Sequence, residues 1–120
     1  MLLYDSGCRL CRFAARVVDS ADRRGRIALL PLQDADAAPL VADLPEQERR
    51  ASWHLVRPGG RIVSRGAAGI ELLEALGHEF PARAAGRAAP LVERAYSLVA
   101  GNRDRLGPLV PNGPAPRRYP

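Results

Sequence analysis

Hydrophobic and polar positions alternate in blocks along this chain, and each block has its own period. Leu2-Leu3-Tyr4 is a short apolar run halted by Asp5-Ser6-Gly7, which reads as a strand ending in a turn. From Leu10 to Ala21 the apolar residues Leu10, Phe13, Ala14, Val17, Val18 and Ala21 recur at helical spacing, with Arg9, Arg12 and Arg16 off the stripe and Gly25 as the stop. Arg26 to Leu32 is nearly continuous in apolar residues, the pattern of a parallel strand buried on both faces, with Pro31 ending its pairing. Gln33 to Leu44 predicts a short helix capped by Asp34 or Asp36 and running through Val41, and Pro45 opens another to Arg50.

The second half continues in the same manner. Ser52 to Arg57 and Arg61 to Ser64 flank Pro58-Gly59-Gly60 and predict a hairpin, with Trp53 and Leu55 on one face and His54 and Val56 on the other. Ala67 to Leu76 predicts a helix stopped by Gly77, and Pro81 to Ala89 permits another. Pro90 opens a last helix to about Arg105, with Leu91, Ala95, Leu98 and Val99 as its inner stripe. Past Gly107 the chain is rich in proline, which predicts an extended or disordered tail outside the core. The division expected is a domain over residues 1–106 and a proline-rich tail over 107–120.

Composition narrows the class. A chain of 120 residues with 47% hydrophobic content is long enough for one domain with a genuine core. Two cysteines are too few for a disulfide scaffold, the first apolar run ends too soon for a secretory signal, and no run reaches membrane-spanning length. A reducing cytoplasm is the expected compartment. The net charge of +5 invites a nucleic-acid reading, but all eighteen basic residues are arginine and aromatic stacking residues are few. That pattern reads as coding bias, with an acidic partner as the residual use of the charge.

The chemistry rests on Cys8 and Cys11. Cys8 falls where a helix begins, and the unpaired amides there favour a thiolate. Cys11 lies one turn on, and residues three apart on a helix stand roughly 5–6 Å apart, within reach of a disulfide. Gly7 permits the sharp entry, and Arg9 adds positive charge beside Cys8. The pair can therefore cycle between dithiol and disulfide, with Cys8 attacking and the more buried Cys11 resolving. Two other readings stay open: a metal half-site, for which His54 and His78 are the only histidines and fit no usual zinc spacing, and an inert buried pair. His54 reads as a satisfied strand residue and His78 as an exposed loop residue.

The order strand, helix, strand, helix, hairpin, helix, with C-x-x-C at the first helix start, is that of a thioredoxin-like domain. More closely, Tyr4-Asp5 followed by Cys8 and Cys11, then Pro31-Leu32-Gln33, and late in the chain Tyr96 to Arg103, resemble the DCC family of predicted thiol-disulfide oxidoreductases. The resemblance implies an α/β fold with a central four-stranded mixed sheet flanked by helices. It implies Asp5, Cys8 and Cys11 as the site, with disulfide exchange as the activity and no cofactor. The implied partners are a disulfide-bearing protein or small thiol and an external thiol reductant. Asp5 admits two roles, acceptor of the resolving proton or organiser of the turn. Asn102 and Arg103 read as structural ties between the last helix and the sheet.

Overall fold

The computed structural model describes residues 1–118. Four short strands, β1 (Leu2–Tyr4), β2 (Leu29–Pro31), β3 (His54–Val56) and β4 (Ile62–Ser64), form one sheet in the order β2-β1-β3-β4. β1 and β2 are parallel, with Leu2 opposite Leu29, while β3 runs antiparallel to both β1 and β4. The parallel pair needs a crossover, and α1 (Arg9–Ala21) supplies it. The structure thus has the mixed sheet and flanking helices of a thioredoxin-like α/β domain.

Both faces of the sheet are covered, which explains the nearly unbroken apolar runs in β1 and β2. Leu2, Tyr4, Leu29 and Leu55 face Ala15 and Val18 of α1 and Ala68 and Leu72 of α3 (Arg65–Ala75). Leu3 and Leu30 face Ala37 and Val41 of a 3-10 segment over Ala35–Val41, with Leu44 and Val56 beside them. Each fully buried leucine contributes about 1.5–3 kcal/mol. Asp34 is the cap of the 3-10 segment, accepting from the Asp36 amide at 3.0 Å. α2 (Glu46–Ala51) follows Pro45 and covers His54.

Three expectations shift. The second strand is shorter than Arg26 to Leu32, because the amides of Arg26 and Ile27 are taken by the buried carboxylate of Asp22, at 3.0 and 2.7 Å. That carboxylate belongs to the residue that caps α1 at its C-terminal end, three positions ahead of Gly25. After α4 (Glu79–Arg87), the helix predicted from Pro90 to about Arg105 is two, α5 (Ala89–Gly101) and α6 (Arg103–Leu106), separated by a break at Asn102. The Asn102 side chain donates to the Leu98 carbonyl at 2.7 Å, closing α5 where a continuous helix would have gone on.

The third concerns the segment after Gly107. After a 3-10 turn at Gly107–Leu109 it is extended, as its prolines dictate, but it is packed along α1 and reaches the core, where Ala115 lies against the main cluster. The arginines off the α1 stripe hold it. Arg9 donates to the Val110 carbonyl, Arg12 to the Gly113 carbonyl, and Arg16 to the carbonyls of Pro111 and Pro114. The Tyr4 hydroxyl donates to the Pro116 carbonyl. Arg118 pairs its backbone with Leu29 and its guanidinium with Asp19 and Asp22. Residues 119 and 120 of the expected tail lie outside the described residues.

Candidate active site

The site begins in the turn between β1 and α1. The Asp5 carboxylate oxygen Oδ1 accepts from the Gly7 amide at 2.8 Å and from Gln33 Nε2 at 2.5 Å. Gln33 Oε1 in turn accepts from the amide and hydroxyl of Ser6, at 3.0 and 2.8 Å. Gln33, two residues past β2, thus clamps the turn after β1. Gly7 lies close under the carboxylate: a Cβ there would stand 3.2 Å from Asp5 Oδ1, a tight contact that the Asp5 side chain would have to shift to relieve.

Cys8 occupies the N-cap of α1 with extended backbone (φ −103°, ψ 119°). Its Sγ accepts from the Cys11 amide at 3.3 Å, so the sulfur sits among the unpaired donors of the first turn. Both cysteines are free and half-buried. Burial pushes the Cys11 thiol up to about 12, with the Cys8 sulfur and the Asp5 charge adding to the rise and Arg103 opposing it.

The cation of the site is Arg103. Arg9, expected beside Cys8, instead turns to the C-terminal segment. Arg103 NH1 lies 3.7 Å from Asp5 Oδ2 and donates to the Arg50 carbonyl at 3.1 Å. Burial disfavours its charge, but the Cys11 and Cys8 sulfurs as thiolates and the Asp5 carboxylate outweigh that and raise its pKa above the ordinary value. The break at Asn102 puts Arg103 at the head of α6, a change of direction that a helix running to Arg105 conceals. The late motif ending in Asn102-Arg103 was the available signal; read as a structural tie, it missed that the arginine faces the thiols.

Beside Cys11 opens a cleft of about 530 Å³, lined almost wholly by carbon. Trp53 forms one wall and stacks on Tyr96 of α5, ring centres 5.8 Å apart. Ser52 stands at the entry to β3, donating to the Trp53 carbonyl and accepting from the Arg65 amide at 2.9 Å and the Tyr96 hydroxyl. Arg65 has a left-handed backbone (φ 59°), uncommon outside glycine. Two bonds hold it there, its amide to Ser52 and its carbonyl to Trp53 Nε1 at 2.9 Å.

Neither histidine joins the cysteines. His54 is buried in β3 with both ring nitrogens used, Nδ1 on Ser64 Oγ at 2.6 Å and Nε2 on the Arg49 carbonyl at 2.9 Å. Burial lowers its pKa and keeps it neutral. His78 is exposed ahead of α4. Among the described residues no three His, Cys, Asp or Glu side chains converge as a metal site would require.

A thioredoxin-like sheet with a C-x-x-C at the start of its first helix defines a class, the thiol-disulfide oxidoreductase-like domains. Within it, the DCC1-like thiol-disulfide oxidoreductase family model matches residues 2–108, and the chain belongs to that family. No curated protein and no solved structure matches the chain. Among the described residues no helix is long and apolar enough to cross a membrane.

Proposed function

We propose that the protein is a thiol-disulfide exchange enzyme of the reductase type, acting in a reducing compartment such as the cytoplasm. The observation that carries this reading is the asymmetry of the pair. Cys8 Sγ sits at the helix N-cap accepting an amide hydrogen, while burial holds Cys11 protonated. In the forward step the Cys8 thiolate bonds to one sulfur of a substrate disulfide, the substrate S–S bond breaks, and the leaving sulfur takes a proton. Cys11 then gives up its proton, bonds to Cys8 Sγ and releases the second substrate thiol, leaving the Cys8–Cys11 disulfide. Asp5 organises the turn through Oδ1, and its Oδ2, beside Arg103, is the acceptor for the Cys11 proton. An external thiol reductant restores the dithiol.

The test is trapping. Cys11→Ser, incubated with a disulfide-bearing protein, should accumulate a mixed disulfide through Cys8, and Cys8→Ser should not. Trapping by both variants or by neither contradicts the assignment.

A further inference from the structure

The face of α5 turned toward α1 carries Val92, Ala95, Tyr96, Val99 and Ala100, spaced at i, i+3, i+4, i+7 and i+8. Such a stripe ordinarily packs into a core. Here it borders the cleft, and no residue of α5 is buried. Leu10 and Ala14 of α1 stand across the gap, and Trp53 lies between. Native interiors leave few voids larger than a water molecule, whereas pockets that hold small molecules run from about 300 to 1,000 Å³. The 530 Å³ here belongs with the second group.

The lining says what would fill it. Water is a poor occupant, since each molecule needs about two to four polar partners and the walls offer carbon. A polypeptide main chain brings an amide and a carbonyl per residue, which these walls would leave unpaired. The hydroxyls of Ser52 and Tyr96 are already spent on each other and on the backbone of Trp53 and Arg65. At the end beside Cys11 stand one cation and one anion, Arg103 and Asp5. An anionic head would meet Asp5 and a cationic head would meet Arg103. A neutral head that accepts a hydrogen bond from the guanidinium meets neither penalty.

We infer that the cleft is a binding site for a neutral, apolar small molecule bearing a carbonyl oxygen at one end. That oxygen sits at Arg103 beside Cys11, and the hydrocarbon lies along the α5 stripe. The site stands on shape and lining alone and does not depend on the redox reading.

Trp53 is the only tryptophan in the chain and forms a wall of the site, so it reports occupancy directly. The purified protein is titrated, below micelle-forming concentrations, with decan-2-one, decanoate and decyltrimethylammonium. The ketone should give a saturable change in Trp53 emission, with about tenfold weaker binding of both charged probes. Arg103→Met should weaken the ketone by about tenfold, the loss expected for a hydrogen bond from a charged donor. Ala95→Met and Ala14→Met, each filling the cleft from one side, should abolish the response. Because a filled variant can misfold, shifts of amide and side-chain resonances in the unaltered protein serve as a second readout and should concentrate at α1, α5 and Trp53. Absence of saturable binding, equal binding of all three heads, or shifts gathered on the exposed Phe80, Leu91 and Leu98 would overturn the proposal.

Discussion

At the scale of single residues, Cys11 carries the sharpest expectation. Its thiol is held near 12 chiefly by burial, and Arg103 is the group pulling it down. In a Cys8→Ser background, alkylation of Cys11 by iodoacetamide should therefore be slow at neutral pH and still accelerating above about pH 10. Adding Arg103→Met should push that rise to higher pH. A Cys11 that alkylates at a pH-independent rate from pH 8 upward refutes the picture of a protonated, buried resolving thiol. Arg103 also marks where reading the sequence ran short. Asp5, Cys8 and Cys11 fall at successive three-residue steps along the chain and are legible from local spacing. Arg103 arrives from the far end of the chain, and its direction depends on a helix break that no periodicity announces.

The elements were legible to the extent that their signals were local. Gly77, with φ 90°, ends α3 close to where a glycine stop is expected, and Pro45 and Asp34 open their helices as their side chains dictate. The face of α5 was legible only in part: Ala95 and Val99 of the expected stripe line the cleft together with Tyr96. Leu91 and Leu98 continue an apolar period, yet both are mostly exposed, and the helix instead turns Val92, Ala95 and Tyr96 toward the cleft. Its orientation is fixed by a close approach to α3 at Gly66, where a Cβ would stand 3.0 Å from the Glu93 α-carbon and 2.7 Å from its carboxylate. Backbone cannot yield there as a flexible side chain can. Gly66→Ala should destabilise the fold by about 1–3 kcal/mol in urea denaturation and change Trp53 emission, because α5 must move off its wall. Unchanged stability and emission would mean that the two helices are not locked at this point.

For the molecule as a whole, the C-terminal segment is part of the fold. Arg118 joins Asp22, whose side chain is only 2% exposed, at 2.5 Å. Burial alone would raise the Asp22 pKa, but the amides of Arg26 and Ile27 and the charge of Arg118 more than offset it, and the net shift is downward. A carboxylate lowered in this way adds stability above its ordinary value near 3.8, and that stability is lost as pH falls through the lower folded value. A chain ending at Gly107 should lose about 3 kcal/mol at pH 7, from the unpaired Asp22 charge and the uncapped Tyr4 hydroxyl. The gap between the two chains in chemical denaturation should narrow below about pH 4, as Asp22 protonates in both. Equal stability at pH 7 would show that the segment rests on α1 without holding it.

The pairing of Leu29 with Arg118 has a consequence for how copies of this protein can meet. On the side of β2 away from β1, the backbone groups to satisfy are those of Leu29 and Pro31. Both Leu29 groups are taken by Arg118, at 3.0 and 2.9 Å, while Pro31 has no N–H and its carbonyl accepts from Asp34 at 3.0 Å. Among the described residues that margin has nothing left to recruit another strand, and β4 is the strand at the other margin of the sheet. Growth of an unending ribbon needs two unsatisfied margins per copy, so any strand-to-strand association through β4 would close as a symmetric pair.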